Sequence, residues 1–134
     1  MASRSVPYYH SILKHDQVKL CAQAMGIEVF ESKTASSNQP IPSHHCWWAK
    51  DQTGRQFEIY DPLHDDAQAF ALIKRFNLSI SKLGESPYCV WPNGLFQEGS
   101  GSSPDLNAAI VECVAYQEHT RQQKRKADAA QQAA

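Results

Sequence analysis

Apolar residues recur along this chain with two periods, near 3.6 and 2, and the switches between them predict its elements. Leu20, Cys21, Ala24 and Met25 share one face of a helix that Asp16 can cap and Gly26 can stop. Ile27-Glu28-Val29-Phe30 reads as a first strand, and the serines, asparagine and prolines of Ser32 to Ser43 read as a loop. His44 to Ala49 and Arg55 to Tyr60 read as two strands joined at Asp51-Gln52-Thr53-Gly54, where glycine suits a bulged hairpin turn. In the second of these, Phe57 and Ile59 face one way and Gln56, Glu58 and Tyr60 the other, so one face of the sheet is expected to be covered.

The period then returns to that of a helix. Asp65 or Asp66 can cap a segment that sets Ala69, Phe70, Ile73 and Phe76 on one stripe, with Lys74 and Arg75 at its negative end and Asn77 closing it. Leu78 to Ser81 alternates as a half-buried strand, which Tyr88 to Trp91 can pair with across the turn at Gly84. Pro92-Asn93-Gly94 ends that pair, and the glycines and serines of Gln97 to Ser103 predict a mobile loop. Ser103-Pro104-Asp105 supplies a cap, a first-turn proline and a first-turn acid for a last helix with the stripe Leu106, Ala109, Ile110, Cys113 and Val114. After Tyr116 the sequence turns polar and ends in an Ala/Gln tail.

These elements predict an α+β fold, a small, mostly antiparallel sheet with about three helices packed on it as a sandwich. The expected organisation is an arm over 1–15, one domain over 16–120 and a mobile, basic then Ala/Gln-rich tail over 121–134. The length of 134 residues, 42% of them hydrophobic, fits that single core. A formal net charge of −1 removes whole-molecule attraction to nucleic acid or an anionic membrane. No apolar run approaches a membrane span, and Met-Ala-Ser-Arg-Ser-Val-Pro lacks the apolar centre of a secretion signal, which points to the cytoplasm. Cys21, Cys46, Cys89 and Cys113 are widely spaced with no CxxC pair, as expected of reduced, buried thiols.

The densest chemistry is His44-His45-Cys46-Trp47-Trp48. On a strand, His44, Cys46 and Trp48 face one side, so His44 and Cys46 could ligate a metal with help from His10, His15 or His64. No second closely spaced ligand pair accompanies them, and a packed strand with histidines at a loop edge accounts for the same residues. Cys46 beside histidine also invites a nucleophile reading, but neighbouring strand side chains point apart and no helix start or glycine loop backs the sulfur. Asp61, Asp65 and Asp66 are explained by a turn and a cap, so no catalytic residue, metal or cofactor is assigned.

Trp47 and Trp48 cannot both face the core of a one-sided sheet, and Trp91 and Phe96 flank a turn. These four rings, with His44 and His45, are the candidate partner-binding residues. The alternative for the second tryptophan is cover by the first helix or by the Ser32 to Ser43 loop. Arg121, Lys124, Arg125 and Lys126 form a basic patch that suits a helix C-terminus and is a weak candidate for nucleic acid.

Asp61-Pro62, Asp65-Asp66-Ala67-Gln68-Ala69-Phe70, Ile73-Lys74-Arg75-Phe76-Asn77-Leu78-Ser79-Ile80 and Asp105-Leu106-Asn107-Ala108-Ala109-Ile110 together resemble phage NinX-like proteins and the related phage ABA-sandwich domain. The segment from Ala22 to Phe30 is similar to the start of the same families. The resemblance covers the chain from about Asp16 to Tyr116 and rests on short, mostly core-forming motifs. The Ser32 to Ser43 loop and the His44–Trp48 run depart from it. It implies a small phage-encoded protein in the host bacterial cytoplasm, in families without an established activity. With the exposed-aromatic candidates, this leads to an expected non-catalytic accessory protein that binds a host or anti-phage defence protein, with inhibition as one outcome, without nucleic acid or membrane. Two alternatives stay open: a metal- or cysteine-dependent enzyme using His44 and Cys46, and a nucleic-acid-binding factor using the basic tail.

Overall fold

The computed structural model describes residues 12–32, 46–50, 57–82, 84–92 and 100–133. Their elements run α1 (Lys14–Ala24), β1 (Val29–Ser32), β2 (Cys46–Lys50), β3 (Phe57–Tyr60), α2 (Asp66–Phe76), β4 (Leu78–Ser81), β5 (Tyr88–Pro92), β6 (Gly101–Ser103) and α3 (Leu106–Ala133). The architecture is α+β, as the periodicity predicts. The strands divide into two antiparallel three-stranded sheets, β1-β2-β3 and β4-β5-β6.

Several boundaries differ from expectation for identifiable reasons. α1 begins at Lys14 behind an extended Leu13 with no side-chain cap, so Asp16 falls in the first turn, where its charge still favours the free N–H groups. Its buried face is Val18, Cys21 and Ala22, while Leu20, Ala24 and Met25 lie at the border of the core. Gly26, at φ 74°, ends it, and the Ile27 N–H bonds back to the Ala22 carbonyl at 2.8 Å. That bond takes Ile27 out of the ladder, so β1 starts at Val29 instead. The Asp51–Gly54 turn lies outside the described residues.

Asp65 caps α2 by accepting the Gln68 N–H at 3.0 Å, and Asn77 closes it in the left-handed conformation at φ 53°. The stripe that meets the core is Ala69, Leu72, Ile73 and Phe76; Phe70, expected inside, is 57% exposed beside Lys74. Both choices fit helical spacing, and the two buried members, Ala69 and Leu72, show which way the helix turns.

The segment expected to be a mobile loop contains β6. A Cβ on Gly101 would stand 2.0 Å from the Ala109 carbonyl oxygen and 2.8 Å from the Cys113 nitrogen, so glycine here permits a strand to lie directly on a helix backbone. Asp105, rather than Ser103, caps α3 by accepting the Ala108 N–H at 3.0 Å, and the Ser103 hydroxyl accepts the Asp105 N–H. α3 is the centre of the molecule, packed by α1, α2, β5 and β6. Ala108 to Val111 and Cys113 to Ala115 are all buried, wider than the single expected stripe. The helix continues to Ala133, and its residues 121–132 are largely exposed.

Candidate functional site

The pairing register decides which side chains of the first sheet share a face. Phe30 stands opposite Trp48 and Trp48 opposite Ile59, while Lys50 pairs with Phe57, so these five occupy one side. Glu31, Trp47, Ala49, Glu58 and Tyr60 occupy the other. The second side is covered: Trp47 is 8% exposed, and Ala49 and Tyr60 are buried with it. Among the described residues the first side is open, with Phe30 41% and Phe57 52% exposed and their rings edge to face at 6.0 Å. Alternation along β3 separates Phe57 and Ile59 from Glu58 and Tyr60, and the cover lies on the Tyr60 side.

α1 supplies that cover. The Trp47 indole N–H donates to the His15 carbonyl at 2.9 Å, the His15 imidazole stacks on the indole at 4.6 Å, and the Lys19 ammonium sits 5.4 Å from its centroid. His15 Nε2 also meets Glu31 at 2.8 Å, tying α1 to β1. With its polar atom satisfied, Trp47 belongs to the core, whereas Trp48 remains partly exposed on the open side.

Behind Trp47 lie groups that burial keeps neutral. The Cys113 thiol is pushed up to about 12 by burial, with the Gly101 backbone N–H pulling it down and Glu112 pushing it up. Cys21 and Tyr60 are also raised, first by burial and then by the neighbouring Cys113 and Cys21 respectively. Cys21 donates to the Val111 carbonyl at 3.4 Å, and the Tyr60 hydroxyl has no hydrogen-bond partner among the described residues. Thiols held protonated in this way are poor nucleophiles.

The remaining candidates are dispersed. Trp91 is half-buried on β5 in the second sheet. His44, His45 and Phe96 lie outside the described residues, as does the side chain of Cys46, which opens β2. Of the histidines offered as metal partners, His15 is engaged by Glu31, His64 meets Asp61 at 2.7 Å, and His10 is outside the described residues. Among the described residues no three histidine, cysteine, aspartate or glutamate side chains converge as metal ligands. In the basic patch, Arg121 bonds to Glu118 and Arg125 lies 3.6 Å from it, while Lys124 and Lys126 are exposed.

The sequence reading missed Phe30 and Phe57 as exposed residues, with Ile59 half-buried beside them. Their signal is visible only once strand register is known, because β1 and β3 are related through β2 and not through adjacency in the chain. No described helix is long and apolar enough to cross a membrane. Comparison with known proteins gives no match to a family model, a curated protein or a solved structure.

Proposed function

We propose that the protein is a non-catalytic binding module that engages another protein through the open face of its first sheet. The observation that carries this reading is the cluster Phe30, Trp48, Phe57 and Ile59, held on a backbone whose opposite face is anchored to α1. Aromatic rings fixed by a sheet present contact area with little loss of side-chain entropy on binding. Lys50, the single charge on this face among the described residues, favours a partner with an apolar patch flanked by a carboxylate. The resemblance to small phage proteins supports a host or defence protein in the bacterial cytoplasm as that partner, and inhibition of it as the outcome.

Photo-crosslinking tests this directly. With p-benzoylphenylalanine replacing Phe57, bacterial lysate should yield one dominant protein adduct, and Phe30→Ser or Trp48→Ser should abolish it. The same probe at Ala129, exposed near the end of α3, should give none. No adduct at position 57, or equal adducts at both sites, would remove the reading.

A further inference from the structure

The molecule carries a second feature, lined by none of the residues of the aromatic face. A cleft of about 510 Å³ opens between the end of α1, the junction of α2 with β4, the end of β5 and the middle of α3. Its size falls within the range of small-molecule sites, roughly 300–1,000 Å³. Phe76, Leu78, Pro92 and Val114 form an apolar floor, while Thr120, Arg121 and Lys124 stand on the α3 wall.

The charges of that wall are not balanced. Glu118, only 3% exposed, is the sole acid among the described residues lining the cleft. Its Oε1 accepts from Arg121, and its Oε2 accepts from Gln122 at 3.0 Å with Arg125 at 3.6 Å. Two guanidinium groups therefore already answer one carboxylate. Lys124 adds a further cation at the cleft, and among the described residues it makes no ion pair, hydrogen bond or ring contact. An apolar floor beneath an unmatched cation selects a ligand with an apolar body and one anionic head, since a neutral body would leave Lys124 unused and a small inorganic anion would leave the floor wet.

We propose that this cleft binds a small amphipathic anion, an aryl or alkyl body bearing a carboxylate, sulfonate or phosphate, with the head held by Lys124 and Arg121 and the body on Phe76, Leu78, Pro92 and Val114. The site is separate from the face formed by Phe30, Trp48, Phe57 and Ile59, so either can be disabled alone.

Fluorescence titration of the intact chain with 1-anilinonaphthalene-8-sulfonate, against its uncharged relative N-phenyl-1-naphthylamine, tests the assignment. The expected result is one saturable site that prefers the anion and weakens with added salt. Lys124→Ala should weaken the anion by about three- to fivefold, as expected for an exposed charge, and leave the neutral dye unaffected. Ala24→Leu, which extends a side chain from the end of α1 into the cleft, should weaken both dyes at least tenfold, and Phe57→Ser should change neither. If Ala24→Leu perturbs the fold, the exposed Lys124→Glu carries the test alone, with a larger loss of anion binding than Lys124→Ala. No saturable site, equal affinity for the two dyes, indifference to Lys124 substitution, or loss of binding in Phe57→Ser would each overturn the proposal.

Discussion

The two sheets of this protein are alike in size and connectivity but are held by opposite means. The second sheet presses its last strand onto the backbone of α3, a contact possible only because Gly101 has no side chain. The first sheet meets α1 through side chains, chiefly one indole, and among the described residues its other face keeps Phe30 and Phe57 exposed. One sheet is thus built into the core on a helix backbone, and the other is a platform with aromatic residues on its free side. The contrast is why the proposed contact surface is placed on the first sheet.

The largest effect should come from Gly101→Ala. The added methyl has no room against the Ala109 carbonyl, so a loss of about 4 kcal/mol or more is expected. A cooperative melt near that of the parent protein would show that β6 can lift from α3 and that the two sheets are less different than described. Next, Trp47→Ala should cost about 3–5 kcal/mol in urea unfolding, because it removes a buried ring and leaves the His15 carbonyl without its donor. Trp48→Ala, on the open side, should cost under about 1.5 kcal/mol. Equal losses at these adjacent positions would erase the distinction between the two faces.

A graded effect, in place of a single loss, should come from pH. Cys21 and Cys113 join α1 to α3, and their thiols titrate higher in the folded chain than their ordinary value of 9.0. Above that value the unfolded chain has released protons that the folded chain still holds, so stability should be flat below pH 9 and fall as pH rises towards 12. The slope should approach about 1.4 kcal/mol per pH unit for each thiol involved. Urea midpoints between pH 7 and 11 measure it, and an unchanged midpoint up to pH 11 would mean that these thiols are not sequestered.

Much of the architecture was legible from local chemistry. Asp65 and Asn77 bound α2, Gly26 ends α1, and the antiparallel pairs β2–β3 and β4–β5 fall where alternation places them. What failed depended on contacts distant in sequence. Glycine and serine at 100–103 carry the same composition whether they loop freely or lie against a helix, and only the position of α3 separates the two. Phe57 and Tyr60 both look apolar enough for the core, and the choice between them was made by α1, many residues upstream. The candidate face was half legible: adjacent tryptophans on a strand must point apart, but which one points outwards depended on the His15 carbonyl.

The Cys21 bond to the Val111 carbonyl joins positions 90 residues apart, whereas Gly101 meets Cys113 within one short stretch of chain. Closing the longer loop costs roughly 2 kcal/mol more in chain entropy than closing the shorter one. The carboxyl-terminal half can therefore organise itself around its central helix from near neighbours, while the seating of α1 on α3 closes the longer loop.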